Sequence, residues 1–397
     1  MPRQLKDWLS SYVAYASYTE APRLNHFWSG VSAVAGALRR KVWIDHVYFQ
    51  WTPCFYIVIV AKPGIVAKST TADIAMDLLK AVPGINFGPD IATWQSLLPA
   101  FTDACEAFEY KDEWHPMSPL TLVSSELGNL LDLHNHDMVN LMITLWDGKK
   151  KIDKITKMSG NDTVEAPWIN LIGCTTPSWI AQNMSNLTVE GGFTSRCVFV
   201  YADRKEKLNF WPKLSLPKDI LEVKQALIHD LEYIACNLVG EYEPTAEALA
   251  WMEKWYEETW TVRPEHLRTD QADGYIARRQ THLCKLAMVI AASQRDTMEL
   301  SLEDFLVANE MLISTEKTFT QTFSMIGKSQ DALQMEKLIE AVRRVGTMRY
   351  EDAFRVVYAA FPDAKDFEGM LSGAIKAGYL DLEMRTDGAF LKAKGVR

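Results

Sequence analysis

An apolar run, Phe55-Tyr56-Ile57-Val58-Ile59-Val60, passes into Ala61-Lys62-Pro63-Gly64-Ile65-Val66-Ala67-Lys68-Ser69-Thr70, and helix-forming sequence follows as far as Ala81. A short, unbroken apolar stretch reads as a strand buried on both faces, and Pro63-Gly64 reads as a turn. Strand, short loop, Lys-Ser and helix form the context in which backbone N–H groups and a helix N-terminus cradle phosphates. In that context a lysine bridges phosphate oxygens and a hydroxyl holds Mg²⁺. Against the pattern G-x-x-x-x-G-K-[ST], Lys62 and Ala67 stand where glycines are usual, and Gly64 is retained. The residues expected to line such a loop are Pro63, Gly64, Ala67, Lys68, Ser69 and Thr70, with Ser69 as the Mg²⁺ ligand. A chance Lys-Ser at a helix start carries the same letters, so the rest of the chain has to decide.

Four other apolar stretches read as buried strands: Lys41 to Ile44, Leu120 to Ser124, Ile169 to Cys174 and Val198 to Tyr201. Helical stretches such as Ser69 to Ala81 and Thr93 to Ala107 fall between them, which is the alternation of an α/β fold. Residues 1–40 predict two amphipathic helices as a lead-in, 41–215 the α/β core, 216–328 an almost wholly helical subdomain, and 329–397 a separate tail. In that tail three helices (Leu333 to Val345, Tyr350 to Ala360, Phe367 to Ala377) precede two strands around Thr386-Asp387-Gly388, the order of a winged helix. With 397 residues, 48% of them hydrophobic, the chain has material for more than one core. The longest apolar run, Cys54 to Ala61, is far shorter than a membrane span, and no basic-then-apolar leader opens the chain, so the expectation is a cytoplasmic protein with no membrane partner. Six scattered cysteines without a CxxC pair point to reduced thiols rather than zinc or disulfides.

A nucleotide hydrolase needs an acidic group at a neighbouring strand end to polarise water or hold a metal. Leu120-Thr121-Leu122-Val123-Ser124-Ser125-Glu126 supplies Glu126, with Ser125 where a metal-binding Asp would commonly stand; a solvated strand-end Glu fits the same letters. The strand Ile169 to Cys174 ends in Thr175-Thr176-Pro177, where a hydroxyl suits a γ-phosphate contact and a plain turn suits equally. Gly191-Gly192-Phe193-Thr194-Ser195-Arg196 precedes the next strand; Arg196 fits an arginine that neutralises a transferring phosphoryl group, or a surface ion pair. Arg278-Arg279 are read as opening a helix, where cations oppose the macrodipole and an anion would account for them.

The order Lys68-Ser69, Glu126, Thr176-Pro177, Ser195-Arg196 and Arg279 resembles that of the AAA+ P-loop ATPases. Arg279-Gln280-Thr281-His282-Leu283-Cys284-Lys285-Leu286-Ala287, followed by Leu300-Ser301-Leu302-Glu303-Asp304-Phe305, looks like the second-sensor region of minichromosome-maintenance helicases. Ser125 to Leu131, with Leu145-Trp146-Asp147-Gly148, is similar to the core of primase-helicase proteins of phages and mobile elements. The resemblance runs from about Asn25 to Leu312 and implies a P-loop core of AAA+ type, a helical lid and a winged helix. It further implies ATP and Mg²⁺ as cofactors and a homo-oligomeric ring, expected to be a hexamer. By it, Lys68 and Ser69 are Walker A, Glu126 the catalytic acid, Thr176 sensor 1, Arg196 the finger reaching a neighbouring subunit, and Arg279 sensor 2. The implied activity is a DNA helicase or translocase in phage or mobile-element replication, with a separate primase as a candidate partner. A helicase loader or other ATP-dependent remodeller shares every one of these motifs, and a non-catalytic scaffold with a degenerate P-loop is the third reading.

Residues 148–166 predict a β-hairpin, with Ser159-Gly160-Asn161-Asp162 as its turn. Its rising arm carries Lys149, Lys150, Lys151, Lys154 and Lys157 against Asp153, a local charge of +4 in a chain of net charge -9. In the helicases it resembles, a hairpin at this place enters the ring channel and carries lysines to the DNA backbone; single-stranded or forked DNA is the implied partner. The tail balances 11 Lys/Arg against 11 Asp/Glu from Asp331 to Arg397, so charge gives it no DNA-reading role. His134-Asn135-His136 reads as a surface loop, and Trp251, Trp255 and Trp260, at helical spacing, as core.

Overall fold

The computed structural model describes residues 2–156, 160–184, 192–268, 272–323, 330–358, 361, 363–386 and 388–394. The chain divides into two compact units, Met1–Ser324 and Met325–Arg397.

The first unit opens with helices α1 (Trp8–Ala16) and α2 (Arg23–Leu38). Asp7 caps α1 by accepting from the Ser10 N–H. The sequence predicts an amphipathic α2, but the structure buries it from Asn25 to Leu38 on nearly every side. Its small residues make this feasible: a Cβ on Gly36 would lie 2.4 Å from Leu79 Cδ2, and one on Gly30 2.7 Å from Tyr12 Cδ1. The helix is thus the centre of the core rather than a lead-in to it.

Next come the short hairpin β1 (Val42–Asp45) and β2 (Gln50–Trp51), strand β3 (Tyr56–Val60), helices α3 (Lys68–Lys80) and α4 (Trp94–Asp103), and strands β4 (Glu106–Tyr110) and β5 (Glu113–Ser124). Helices α5 (Leu127–Leu130) and α6 (His136–Trp146) lead to hairpin β6 (Lys151–Thr156) and β7 (Gly160–Glu165), then to β8 (Pro167–Thr175), α7 (Pro177–Asn183) and β9 (Cys197–Tyr201). One five-stranded sheet has the order β4-β5-β8-β3-β9. Strands β5, β8, β3 and β9 are parallel, with Val60 level with Thr175 and Tyr201, and Ser124 level with Gly173. Every residue of β3 and β8 is buried, as both-face coverage of a parallel sheet requires. The pleat sorts β3: Ile57 and Ile59 join the core with α2 and α3, while the Tyr56 hydroxyl donates to the Met142 carbonyl of α6 at 2.7 Å.

Strand β4 replaces what the sequence reads as the end of a helix. α4 stops at Asp103, and β4 pairs antiparallel with β5 around Lys111 and Asp112, both at positive φ (52° and 63°). Beyond the sheet lie α8 (Ile220–Asn237), β10 (Gly240–Glu241), β11 (Glu243–Pro244), α9 (Ala246–Thr261), α10 (Asp273–Gln294), β12 (Glu299–Leu300), α11 (Leu302–Glu316) and α12 (Phe319–Phe323). Leu231, Leu286 and Phe305 of these helices share one apolar cluster with Trp28 and Ile57, and β10 pairs in parallel with β1. The boundary expected near residue 216 is therefore not a boundary of the core. Trp255 stacks on Trp251 at 6.1 Å, but Trp260, expected inside, is 55% exposed. Among the described residues no helix is long and apolar enough to cross a membrane, and all six cysteines are free.

The second unit holds α13 (Gln330–Val345), β13 (Thr347–Arg349), α14 (Tyr350–Val357), α15 (Ala364–Lys376), β14 (Leu380–Arg385) and β15 (Gly388–Ala393). Its antiparallel sheet has the order β13-β15-β14, one strand more than the sequence predicts, and Asp387 of the expected turn lies outside the described residues. Leu338, Val342, Phe367, Leu371, Leu380 and Leu391 form a core of their own. Because each unit closes its own core, a chain ending at Ser324 is expected to keep the first unit's thermal midpoint, followed by circular dichroism. Phe367→Ala in the full chain should cost about 3–5 kcal/mol in the second unit's transition alone. Collapse of the shortened chain would contradict the two-core description.

Candidate functional site

Parallel strands bring their C-terminal ends to one sheet edge, and the crevice there, where successive connections leave to opposite sides, is the usual ligand site of an open α/β sheet. Here β3 is that switch point, with β8 on one side and β9 on the other. The Ala61 N–H donates to the Thr175 carbonyl at 3.3 Å, and the Ala202 N–H to the Val60 carbonyl at 2.9 Å, so both flanks of the loop are pinned. Within the loop Val66 is buried against Ala61 and Ala202, while Pro63, Gly64 and Ala67 are exposed. Gly64 has φ +74°, a conformation that glycine takes without strain.

Helix α3 starts at Lys68 with Ala67 at its N-cap and no side-chain cap; the Lys68 N–H donates to the Val66 carbonyl at 2.9 Å, and the Ser69 and Thr70 amides follow it at the helix start. The Lys68 ammonium folds back and donates to the Ala61 carbonyl at 2.6 Å. Burial pushes its pKa down from the usual lysine value, opposed by Cys174 and Glu126. Ser69 is half-buried and Thr70 exposed. An uncapped helix N-terminus with a lysine beside it is a setting for an anion, since dipole and charge have the same sign there.

Glu126 is exposed at the start of α5, and its carbonyl accepts from the Ser124 hydroxyl at 2.7 Å. Its strand β5 is separated from β3 by β8, whose end carries Thr175 and Thr176. The Thr176 oxygen accepts from the Trp179 N–H at 3.2 Å and caps α7, leaving its own O–H to donate. Beside these strand ends lies a cavity of about 440 Å³ whose lining includes Asp73, Asp90, Ser124, Ser125 and Asn129. Asp73 was not singled out from sequence; one turn after Ser69 it shares that residue's helix face. Burial, then the nearby Asp77, raises its pKa above the ordinary aspartate value. The signal available in the sequence was only its spacing of four from Ser69.

The two predicted arginines are both engaged within the chain. Arg196 is buried and binds Asp147 through both ends of its guanidinium, at 3.0 and 2.7 Å, and its Nη1 donates to the Gly192 carbonyl at 2.6 Å. Gly191 lies outside the described residues. Helix α10 begins at Asp273, so Arg278 and Arg279 sit more than a turn inside it rather than opening it. Arg279 donates to both oxygens of buried Glu316, at 2.7 and 3.0 Å, and to Thr259 at 3.4 Å. Arg278 donates to the Ser195 hydroxyl at 3.1 Å. Fully buried Lys285, not anticipated from sequence, lies 3.4 Å from the Trp146 ring centroid and 3.0 Å from Cys54 Sγ.

The lysine hairpin leaves the opposite edge of the sheet, because it enters β8 at the strand's N-terminal end. Lys149, Lys150 and Lys151 are exposed, Lys154 is placed by its backbone opposite Asp162, and Lys157 lies outside the described residues. Register sets Lys151 opposite Glu165, and Lys151 Nζ is 3.2 Å from Asp153 and 3.9 Å from Glu165. Counting the returning arm, residues 148–166 hold five lysines against Asp153, Asp162 and Glu165, a net of +2 rather than the +4 of the rising arm. Arg40 anchors the base, its guanidinium donating to the carbonyls of Gly148 (3.0 Å), Lys149 (3.4 Å) and Pro167 (2.9 Å). No sequence pattern marks Arg40 for this, since its partners are more than a hundred residues away.

In comparison with known proteins, no family model and no curated protein matches this chain.

Burial raises the Glu316 pKa, but hydrogen bonds from His266 and Arg279 outweigh it and hold the carboxyl below its ordinary value of 4.5. A carboxylate so lowered stabilises the fold above pH 4.5, and that contribution is lost as pH falls through the folded value. Arg279→Ala leaves the buried carboxylate without its main partner and is expected to cost about 3–5 kcal/mol in urea unfolding at pH 7. The gap should narrow on acidification; a gap independent of pH would contradict the pairing.

Proposed function

We propose that the chain is an ATP-hydrolysing DNA motor of AAA+ P-loop type, with a helical lid, a winged-helix tail and a ring assembly, expected to be a hexamer. The observation that carries the proposal is the convergence of the uncapped α3 N-terminus, Lys68, Glu126 and Thr176 at one edge of a parallel sheet whose switch point is β3. Three features there fit a nucleotide: an exposed loop ending at a helix N-terminus with no side-chain cap, a lysine whose ammonium donates to a loop carbonyl, and a half-exposed Ser69 hydroxyl one helical turn from Asp73. Mg²⁺ bound with ATP would neutralise charge on the β and γ phosphates.

In this reading the amides at the start of α3, Ser69 and Thr70, orient the phosphates, and Lys68 leaves the Ala61 carbonyl for a phosphoryl oxygen. Ser69, with the Asp73 carboxylate one turn on, would hold the metal ion, and Glu126 would hold the attacking water and take its proton. The Thr176 O–H donates toward the γ-phosphate. Arg196 serves a neighbouring subunit only when its pair with Asp147 opens, and Arg279 holds the helical layer while Arg278 is the freer of the two. The lysine hairpin bears on the phosphates of single-stranded or forked DNA, in the replication of a phage or integrated element with a separate primase as partner.

A second reading, a scaffold that binds nucleotide without hydrolysing it, is favoured by one observation: Ser125 stands where the strand-end Asp would hold a metal. A loader or remodeller shares the hydrolytic site and differs in not separating strands on a forked substrate. Steady-state ATP hydrolysis by the wild type is expected to rise with single-stranded DNA and to fall about 100-fold or more in Lys68→Ala. Absence of hydrolysis in the wild type, with and without DNA, would overturn the motor and leave the scaffold.

A further inference from the structure

Strands β1 and β2 pair Ile44 with Trp51 and Asp45 with Gln50, and residues 46–49 close the turn, with the His46 N–H donating to the Phe49 carbonyl at 3.0 Å. Turns of this kind favour Gly, Asn and Asp because they need positive φ. This one holds Val47 at φ +65°, a conformation that a β-branched residue rarely takes, steadied by a 2.7 Å bond from the Val47 N–H to the Asp45 carboxylate. The tip presents three apolar side chains in succession: Val47 is 90% exposed, Tyr48 95% and Phe49 52%. Behind Val47 and Tyr48 the rings of His46, Phe49 and Trp51 pack on one another, with centroids 4.3 to 5.6 Å apart. Tyr48 therefore stands clear on a rigid aromatic base rather than on a loose loop.

The turn lies beside the lysine hairpin. A Cβ on Gly148 would come within 3.9 Å of the Gln50 carbonyl, and the Cys54 thiol reaches the Trp146 carbonyl at 3.5 Å. Arg40, two residues before β1, grips the carbonyls at the hairpin's base. Gln50, two residues from exposed Tyr48, thus sits beside Gly148, which directly precedes exposed Lys149 and Lys150, and the acids close by are engaged, Asp45 by the turn and Asp153 with Glu165 by Lys151.

We propose that the β1–β2 tip is a base-stacking platform, on which Tyr48 stacks a base of a single-stranded nucleic acid whose phosphates run along Lys149 and Lys150. Aromatic faces alternating with a cationic track are what an unpaired strand fits; a duplex hides its base faces, and a purely apolar partner would leave the lysines unmatched. This inference rests on the proposed strand-binding role of the hairpin and adds to it the element that contacts bases.

The test is fluorescence anisotropy of the full chain with labelled oligodeoxythymidylate, oligouridylate of equal length, and an abasic strand of the same length. Tyr48→Ala is expected to weaken binding of an ordinary strand roughly tenfold, to leave abasic binding unchanged, and to be rescued by Tyr48→Phe, since each stacked base contributes on the order of a tenfold factor or more. Loss on either DNA or RNA supports the platform, and the tighter strand names the partner. Equal affinity of wild type and Tyr48→Ala for ordinary strands overturns it. So does a variant that changes sedimentation mass but not affinity, which assigns the tip to a second copy of the chain. A wild type that hydrolyses ATP yet binds no strand sinks the platform and spares the nucleotide site; Tyr48-dependent binding without hydrolysis does the reverse.

Discussion

Strand β3 is bonded in parallel register to β8 along Leu171–Thr175 and to β9 along Cys197–Tyr201, and every residue of it is buried. A strand held on both edges and covered on both faces has no freedom to shift its register by a residue without turning its whole side-chain pattern over. The loop that follows therefore starts from a fixed point, and so does the uncapped helix beyond it. The same demand for coverage draws α2 into the core, where glycines, serines and alanines let it lie close to α1 and α3. Loops at the strands' C-terminal ends converge on the switch point, and both hairpins leave from the other edge.

Much of this architecture was legible because burial on both faces writes itself as continuous apolar sequence. Tyr56–Val60, Ile169 to Cys174 and Val198 to Tyr201 stood out for that reason. Strand β4 did not: Glu106 to Tyr110 alternates half-buried and exposed residues, and its tight turn uses Lys111 and Asp112 at positive φ with no glycine to announce it. The depth of α2 was hidden because its buried positions are small residues with weak periodicity, and β10 and β12, two residues each, are too short to show any period. One core extending across residue 216 is a matter of which helices meet, as with Leu231 and Trp28, and no local pattern records that.

Lys68, Glu126 and Thr176 each follow a buried strand along the chain, and parallel strands end together, so their proximity was legible from spacing. Partners were not legible. Asp147 and Arg196 are 49 residues apart, and Arg279 and Glu316 are 37 apart, so neither pair leaves a mark in a window of sequence. A count of lysines on the rising arm overstated the hairpin's charge, because register brings Asp162 and Glu165 of the return strand opposite Lys154 and Lys151. Arg40 and Tyr48 have significance only through what the fold sets beside them.

Strand β8 joins the two edges of the sheet. Its nine residues, at about 3.3 Å of rise each, make a rod roughly 30 Å long. Arg40 grips the Pro167 carbonyl at one end, and the Ala61 amide holds the Thr175 carbonyl at the other. Parallel neighbours on both sides, β5 and β3, hold the rod in register between the lysine hairpin's root and the loop that follows β3. The joint above the rod is pinned as well: Ala166, at φ 42° between hairpin and strand, donates its N–H to the Lys150 carbonyl at 2.8 Å and accepts from the Ser118 N–H at 3.2 Å. The hairpin is thus braced at its root by Arg40 and Ala166, and the strand it feeds ends at Thr175 beside the loop that follows β3.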